Sequence, residues 1–378
     1  MIDRTEKEIM QKWKGDLSTP LVSICTITYN HENFIEEALD SFLMQETDFP
    51  FEIVIDDDAS PDHTADIIKK YIEKYPKIFN ARLRDKNVGS ITNFIENMQR
   101  ANGKYIAICD GDDFWTDCCK LKKQINFLEL HNDYVMVGAN VTLLDMEDTS
   151  KRTLAKNHNV NELDFFDKDF LLLNPIPNMT LVFRNNLISK YPEFYYQFRL
   201  ADQGQNLMLT QYGKCKYFND IVGVNRRYRG SITSLYREKD YNKKIFTIEE
   251  EISFIKTWNE YFDYKYDDIV YPYIHRRYAR LVELYCKVYQ FNRAMELASM
   301  IDIKYLNNSK KKERSNSSSQ GSINKILTDE NRYKGDKLII EDAIREEDWE
   351  TLEDMLKSRT SDFPDLIKMI KKALNNRK

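Results

Sequence analysis

Four short apolar runs, Leu21–Thr28, Phe51–Ile55, Ile78–Leu83 and Tyr105–Cys109, are each followed by a segment with helical periodicity. Glu32–Gln45 carries Phe34, Ile35, Ala38, Leu39, Phe42 and Leu43 at positions that share one helix face. Ser60 as cap and Pro61 at the first helical position open a second helix through Lys74. Ser90–Ala101 forms a third, and Thr116 caps a fourth that reaches His131. The run Tyr105–Cys109 contains no Gly or Pro, as expected of a strand covered on both faces. Strand alternating with helix four times over predicts an α/β fold: a mostly parallel sheet with helices on both faces.

Beyond His131 the periodicity predicts a strand over Tyr134–Leu144, a helix over Asn161–Leu173 and a strand over Met179–Phe183. A helix over Ala201–Tyr212 and two strands, Lys216–Phe218 and Ile221–Arg226, complete the sheet region. Residues 3–14 read as a short N-terminal helix. Tyr241–Ile301 is purely helical in pattern. The organisation that follows is a first domain over 1–235, a helical extension over 236–306, a polar linker over 307–337 and a helical hairpin over 338–378.

The chemistry gathers where the apolar runs stop. Tyr105–Cys109 ends in Asp110, Asp112 and Asp113 around a single glycine. Three acids crowded past a buried strand repel one another unless a cation lies among them, and hard divalent ions such as Mg2+ or Mn2+ prefer oxygen ligands. In open α/β sheets the ligand crevice lies beyond the carboxyl ends of the strands. A metal-bridged diphosphate site competes with a solvated acidic turn on this evidence. Composition narrows the field. A balance of 56 basic against 61 acidic residues offers no global attraction to nucleic acid. With 11 glycines and no Gly-x-Gly-x-x-Gly after a strand, a dinucleotide fold of that kind has no support. The six cysteines show no metal-type pairing, and the five histidines are scattered without ligand spacing. Cys25 and Cys109, lying inside strands, suggest a reducing compartment, and no apolar run approaches the ~18 residues that span a bilayer. A cytoplasmic protein is expected.

Several motifs stand in a fixed order. Val22–Asn30 ends in Thr-Tyr-Asn, and Asp57-Asp58-Ala59-Ser60 precedes Asp62 and Thr64. Asn87-x-Gly89 and Asn93-Phe94 precede Gly103-Lys104-Tyr105-Ile106. Asp110–Trp115 is followed by Thr116-Asp117 and Lys120-Leu121-x-Lys123-Gln124. From about Pro20 to Ile232 the chain thereby resembles the family-2 glycosyltransferases of the GT-A fold, especially bacterial enzymes that build surface polysaccharides.

The resemblance implies a nucleotide-sugar donor and an inverting transfer to a hydroxyl of a glycan or lipid-linked glycan. Asp58 would accept from the N–H of a uracil-like ring, which favours UDP although guanine could also donate, and Tyr29 would stack on that base. Thr28 and Asn87 fall to the donor site. Asp112 matches the principal ligand of Mn2+ or Mg2+, and Asp110 a helper to metal or ribose. Asp202, opening a helix, matches the general base. Each has a plainer alternative: Asp58 as a helix cap with Ser60, Tyr29 as core, and Asp202 as an acid favoured by the helix dipole.

The pattern departs from the family twice. Gln203 and Gly204 replace the aromatic and proline that usually follow the base. In Asn225-Arg226-Arg227-Tyr228-Arg229-Gly230, Tyr228 stands where a histidine often completes the metal shell. Arg226, Arg227 and Arg229 offer guanidinium forks suited to phosphate oxygens, with exposed salt bridges as the alternative. The adjacent Cys118-Cys119 suggests no chemistry. A nucleotidyltransferase would need a basic glycine-rich loop after the first strand, which is lacking. A non-catalytic relative that binds nucleotide sugar or glycan stays open. The C-terminal Phe363–Lys378 places Leu366, Ile367, Ile370, Ala373 and Leu374 at helical spacing with lysines beside them. It either packs as a hairpin with Leu338–Lys357 or docks on an anionic membrane or a partner enzyme.

Overall fold

A computed structural model describes residues 2–155, 162–228 and 240–305. The expected linker, the C-terminal hairpin and Arg229 lie outside the described residues. The chain divides into two compact units, 1–235 and 236–378.

In the first unit the alternation inferred from periodicity is present. Strands β1 (Val22–Thr28), β2 (Phe51–Asp57), β3 (Phe79–Leu83) and β4 (Tyr105–Ile108) alternate with helices. After α1 (Glu6–Met10), these are α2 (Ile35–Leu43), α3 (Thr64–Lys74) and α4 (Ser90–Gln99). The four strands are mutually parallel in the order β3-β2-β1-β4. Val22, Ile24, Ile53, Ile55 and Ala107 are fully buried, and α2 packs Ile35, Ala38, Leu39, Phe42 and Leu43 onto the same core. Because β1 has β2 on one side and β4 on the other, the strand order reverses there. That topological switch opens a crevice at the carboxyl ends of β1, β2 and β4.

Past β4 the sheet becomes mixed. The further elements are β5 (Phe114–Trp115), α5 (Lys120–Leu130), β6 (Tyr134–Asp145), β7 (Arg152–Leu154), β8 (Glu162–Phe165) and α6 (Asp167–Leu172). They are followed by β9 (Val182–Arg184), α7 (Ala201–Leu209) and β10 (Lys214–Arg227). β9 inserts between β4 and β6 and runs antiparallel to both. β10 is parallel to β6 and antiparallel to β5 and β8.

Several boundaries differ from the periodicity. The expected helix over Asn161–Leu173 begins as β8, because Glu162–Phe165 finds a ladder partner in Cys215–Phe218. The two expected strands at 216–218 and 221–226 are one strand, bent by register shifts around Ile221. Helix α3 starts at Thr64 and α5 at Lys120, later than the Ser60 and Thr116 caps suggested. Ser60 is instead drawn to Asp57. Met179 lies in a 3-10 turn that precedes β9.

In the second unit the helical pattern holds over α8 (Tyr241–Tyr261), α9 (Asp267–Lys287) and α10 (Phe291–Ser299). Asp240 caps α8 by accepting from the Asn242 and Lys243 amides. Ile252, Ile255 and Trp258 are buried, as are Val270, Ile274 and Leu281. Lys256 Nζ donates to Tyr278 Oη at 2.6 Å, and Arg277 pairs with Glu251 at 2.8 Å, tying α8 to α9. Among the described residues no helix is long and apolar enough to cross a membrane.

Candidate active site

Three consecutive acids at the end of β2 are sorted by strand alternation, which sends neighbouring side chains to opposite faces. Asp56 is fully buried in ion pairs with Arg82 and Arg100, with Arg84 at 3.8 Å. Asp57 accepts from the backbone and hydroxyl of Ser60. Asp58, also buried, accepts from the Val88 amide at 2.8 Å and the Gly89 amide at 3.0 Å. Asp57, and not Asp58, is therefore the partner of Ser60. Asn87 donates from its side chain to the Asp58 carbonyl at 3.1 Å, so Asp58 and Asn87 together pin the loop before α4. Each Asp58 oxygen holds one backbone donor and keeps further acceptor capacity.

The tip of β1, paired with the end of β2, supplies further lining. Tyr29 is 47% exposed, and the positive φ of Asn30, 59°, turns the chain back so that His31 enters the crevice. His31 Nδ1 lies 3.0 Å from Thr28 Oγ1. Its Nε2 lies 4.0 Å from Asp112 Oδ2 and 3.4 Å from Tyr228 Oη. Burial pushes the imidazole pKa down, against the opposing pull of Asp112.

From β4 the chain enters Asp110-Gly111-Asp112-Asp113. Burial, with Asp112 and Asp202 nearby, pushes the Asp110 carboxyl up to about 7. Burial and Asp112 also raise Asp113 well above the carboxylate range. Asp113 accepts from the Arg226 amide at 2.8 Å and from Asn225 Nδ2 at 2.7 Å, which fastens the end of β10 to this loop. Asp112 accepts from Tyr228 Oη at 3.0 Å. A Cβ on Gly111 would meet Thr28 Oγ1 at 2.8 Å and Ile35 Cδ1 at 2.9 Å, so only glycine lets the loop press this closely against β1. Gly111→Ala is expected to cost about 1–3 kcal/mol through overpacking, read as a lowered urea midpoint at unchanged slope. An unchanged midpoint would show that the loop stands off from β1.

Arg226 is buried between Phe34 and Phe114, with its guanidinium carbon 5.2 Å and 4.5 Å from the two ring centres. Nη1 donates to the Asp112 carbonyl at 2.6 Å, and Nη2 pairs with Glu37. Both terminal nitrogens thus hold protein groups, which makes Arg226 a brace for the acidic loop. Asp202 lies in the first turn of α7 and accepts from Asn174 Nδ2 at 2.8 Å. Burial raises its pKa. It does not line the crevice but is within electrostatic reach of Asp110.

Thr28, Tyr29, His31, Asp58, Asn87, Asp110, Asp112, Asp113, Arg226 and Tyr228 all line one cavity of about 630 Å³. Its donor set is hard: carboxylates held together against repulsion and burial, with one imidazole. A divalent cation fits that chemistry, since it would offset the repulsion that raises Asp110 and Asp113. In the sequence His31 has no second histidine at ligand spacing. Its place directly after the Thr-Tyr-Asn strand tip was the available signal. Cys118 and Cys119, an adjacent pair that suggests no chemistry in the sequence, form with Asp117 a group whose ligand atoms lie within 4.8 Å of one another.

Residues 23–190 match the family model described as Glycosyl transferase family 2. Over these residues the chain is similar to family-2 glycosyltransferases. An uncharacterised protein of Mycobacterium tuberculosis is 48% identical over 110 residues, 29% of this chain and 32% of that one. TuaG of Bacillus subtilis, whose name assigns it to glycosyl transfer in teichuronic acid biosynthesis, is 36% identical over 119 residues, 32% of this chain and 44% of its own. The matches thus span less than half the length of these relatives. The solved structure of S. aureus TarS 1-349 with UDP-GlcNAc aligns with a TM-score of 0.46 and 18% identity, covering 70% of this chain and 81% of that one. The cavity is lined by residues within this matched stretch and by the end of β10 beyond it.

Proposed function

We propose that the protein is a metal-dependent inverting glycosyltransferase that moves a sugar from a nucleotide diphosphate, with UDP favoured, to a hydroxyl of a glycan in surface polysaccharide synthesis. The observation that carries this is one cavity lined by Asp58 and Tyr29 together with Asp110, Asp112 and Asp113. Its volume of about 630 Å³ lies within the range of small-ligand sites. Tyr29, exposed at the tip of β1, offers a face for the base, and Asp58 an acceptor for the uracil N–H. Asp112, assisted by Asp110, would hold Mn2+ or Mg2+, whose charge offsets that of the departing diphosphate. Asn87 and Thr28 shape the donor pocket. Arg226 keeps the acidic loop in place through Asp112 and Glu37, and Arg229, which lies outside the described residues, would be a further phosphate contact. Teichuronic acid synthesis in TuaG and UDP-GlcNAc in TarS agree with this substrate class.

The acceptor oxygen attacks the anomeric carbon from the face opposite the diphosphate. The carbon–oxygen bond to the diphosphate breaks, and its electron pair leaves with UDP. The acceptor proton passes to Asp202, which burial makes a stronger base than an exposed aspartate. Calorimetry with UDP, CDP and GDP tests the donor, and release of UDP from UDP-sugars on adding glycan acceptors tests the reaction. UDP is expected to bind tightest, because a carboxylate acceptor matches uracil and mismatches cytosine. Equal binding of UDP and CDP would remove Asp58 from base recognition. Tyr29→Ala should weaken UDP by about 1–3 kcal/mol, the usual contribution of base stacking on an aromatic ring. An unchanged Kd would leave Tyr29 out of the donor site.

A further inference from the structure

We propose that His31 is a nitrogen ligand of the divalent cation, supplying from the β1 tip the imidazole that Tyr228 replaces after the last strand. The inference rests on the metal reading of Asp112. Among the described residues, His31 is the one histidine that lines the cavity. Its ring is held from both sides of the fold. The His31 amide donates to Thr64 Oγ1 at 2.9 Å, and the Glu32 amide to Asp62 Oδ2 at 2.9 Å, which pins the loop to the start of α3. Phe34 packs edge-on against the imidazole with ring centres 6.3 Å apart.

The hydrogen bond at Nδ1 decides what Nε2 can do. In the tautomer whose Nδ1–H donates to Thr28 Oγ1, 3.0 Å away, Nε2 carries the lone pair and faces Asp112 Oδ2 at 4.0 Å. A ligating histidine characteristically has its other ring nitrogen fixed this way, which sets tautomer and orientation together. Two ligands each about 2.0–2.2 Å from one small divalent ion stand about 3 Å apart when adjacent and about 4 Å apart when opposite. The separation of Nε2 and Oδ2 falls within that span. Tyr228 Oη lies 3.0 Å from the same Asp112 oxygen and 3.4 Å from Nε2. A neutral phenol is a poor ligand but a good donor to the carboxylate, so Tyr228 orients Asp112 and leaves the nitrogen position to His31.

Pulsed electron paramagnetic resonance on the full chain with Mn2+ and UDP tests this directly. Wild type should show nitrogen modulation on bound Mn2+, and incorporation of 15N-histidine should change it. His31→Gln should abolish the modulation and weaken Mn2+ binding at least about ten-fold. Tyr228→Phe should retain it. Bound Mn2+ with no histidine coupling in wild type, or coupling that persists in His31→Gln, would overturn the assignment while leaving the metal reading intact. Failure of wild type to bind Mn2+ with UDP would overturn the metal reading and this inference with it.

Discussion

Replacing Asp112 by Asn is expected to lower turnover by about 10³ and to remove the dependence of UDP binding on a divalent cation. The prediction follows from what surrounds the carboxylate. Asp112 is the acid that both raises Asp110 and Asp113 and faces Tyr228 and His31. Without its charge the cation loses its main anchor, and the negative charge that develops on the leaving diphosphate is no longer offset. The fold should not suffer. Asn can still accept from Tyr228, and loss of one charge relieves repulsion at Asp110 and Asp113, so the metal-free variant should melt no lower than wild type. Calorimetric titration of UDP with Mn2+, and again with chelator, decides the matter. Equal UDP affinity for wild type and variant under both conditions would mean that no cation bridges this loop and the donor.

Asp202→Asn should keep UDP affinity and lose a factor of about 10²–10⁴ in turnover, the usual contribution of a general base. The acid limb of the wild-type kcat profile carries a second signature. A base acts only when ionised, so activity falls as pH drops through its pKa. Burial raises the Asp202 carboxyl, which places that limb above the ~3.9 of an unperturbed aspartate. The residual activity of the Asn variant should lack it. The same burial disfavours the charged form in the folded state. Asp202 therefore contributes stability at low pH that is lost as pH rises through its folded pKa. The Asn variant, still able to accept from Asn174, should accordingly be no less stable than wild type at pH 8. Near-normal turnover in a direct product assay would move the base elsewhere.

Much of this site was written in local pattern. The apolar runs and helical repeats between Leu21 and Gln99 place β1 to β3 and their helices in order. Strand tips bearing Tyr29, Asp58 and Asp110 then converge, because parallel strands end on the same edge. Adjacent residues cannot both face one side of a strand, yet Asp56, Asp57 and Asp58 looked equivalent in the chain. Their separation into an arginine cluster, a turn clamp and a loop clamp needed the partners Arg82, Arg100, Ser60 and Gly89, which lie up to dozens of positions away.

The second half of the sheet was less legible for a related reason. Glu162–Phe165 has no strong intrinsic preference, and pairing with Cys215–Phe218 decides its state as a strand. Likewise Arg226 reads as a phosphate-binding cation in isolation. Only the antiparallel register of β10 with β5 brings its backbone to Asp113 and its guanidinium to Glu37 and Asp112. His31 carries in the sequence only the signal of its place after a strand tip, because Asp112 and Tyr228, which lie beside it, arrive from two other strands. Short-range periodicity and strand-end chemistry were thus settled by the sequence itself, since they depend on neighbours within one or two turns. The identity of each side chain's partner was settled by tertiary structure alone, because it depends on which strands the sheet places side by side.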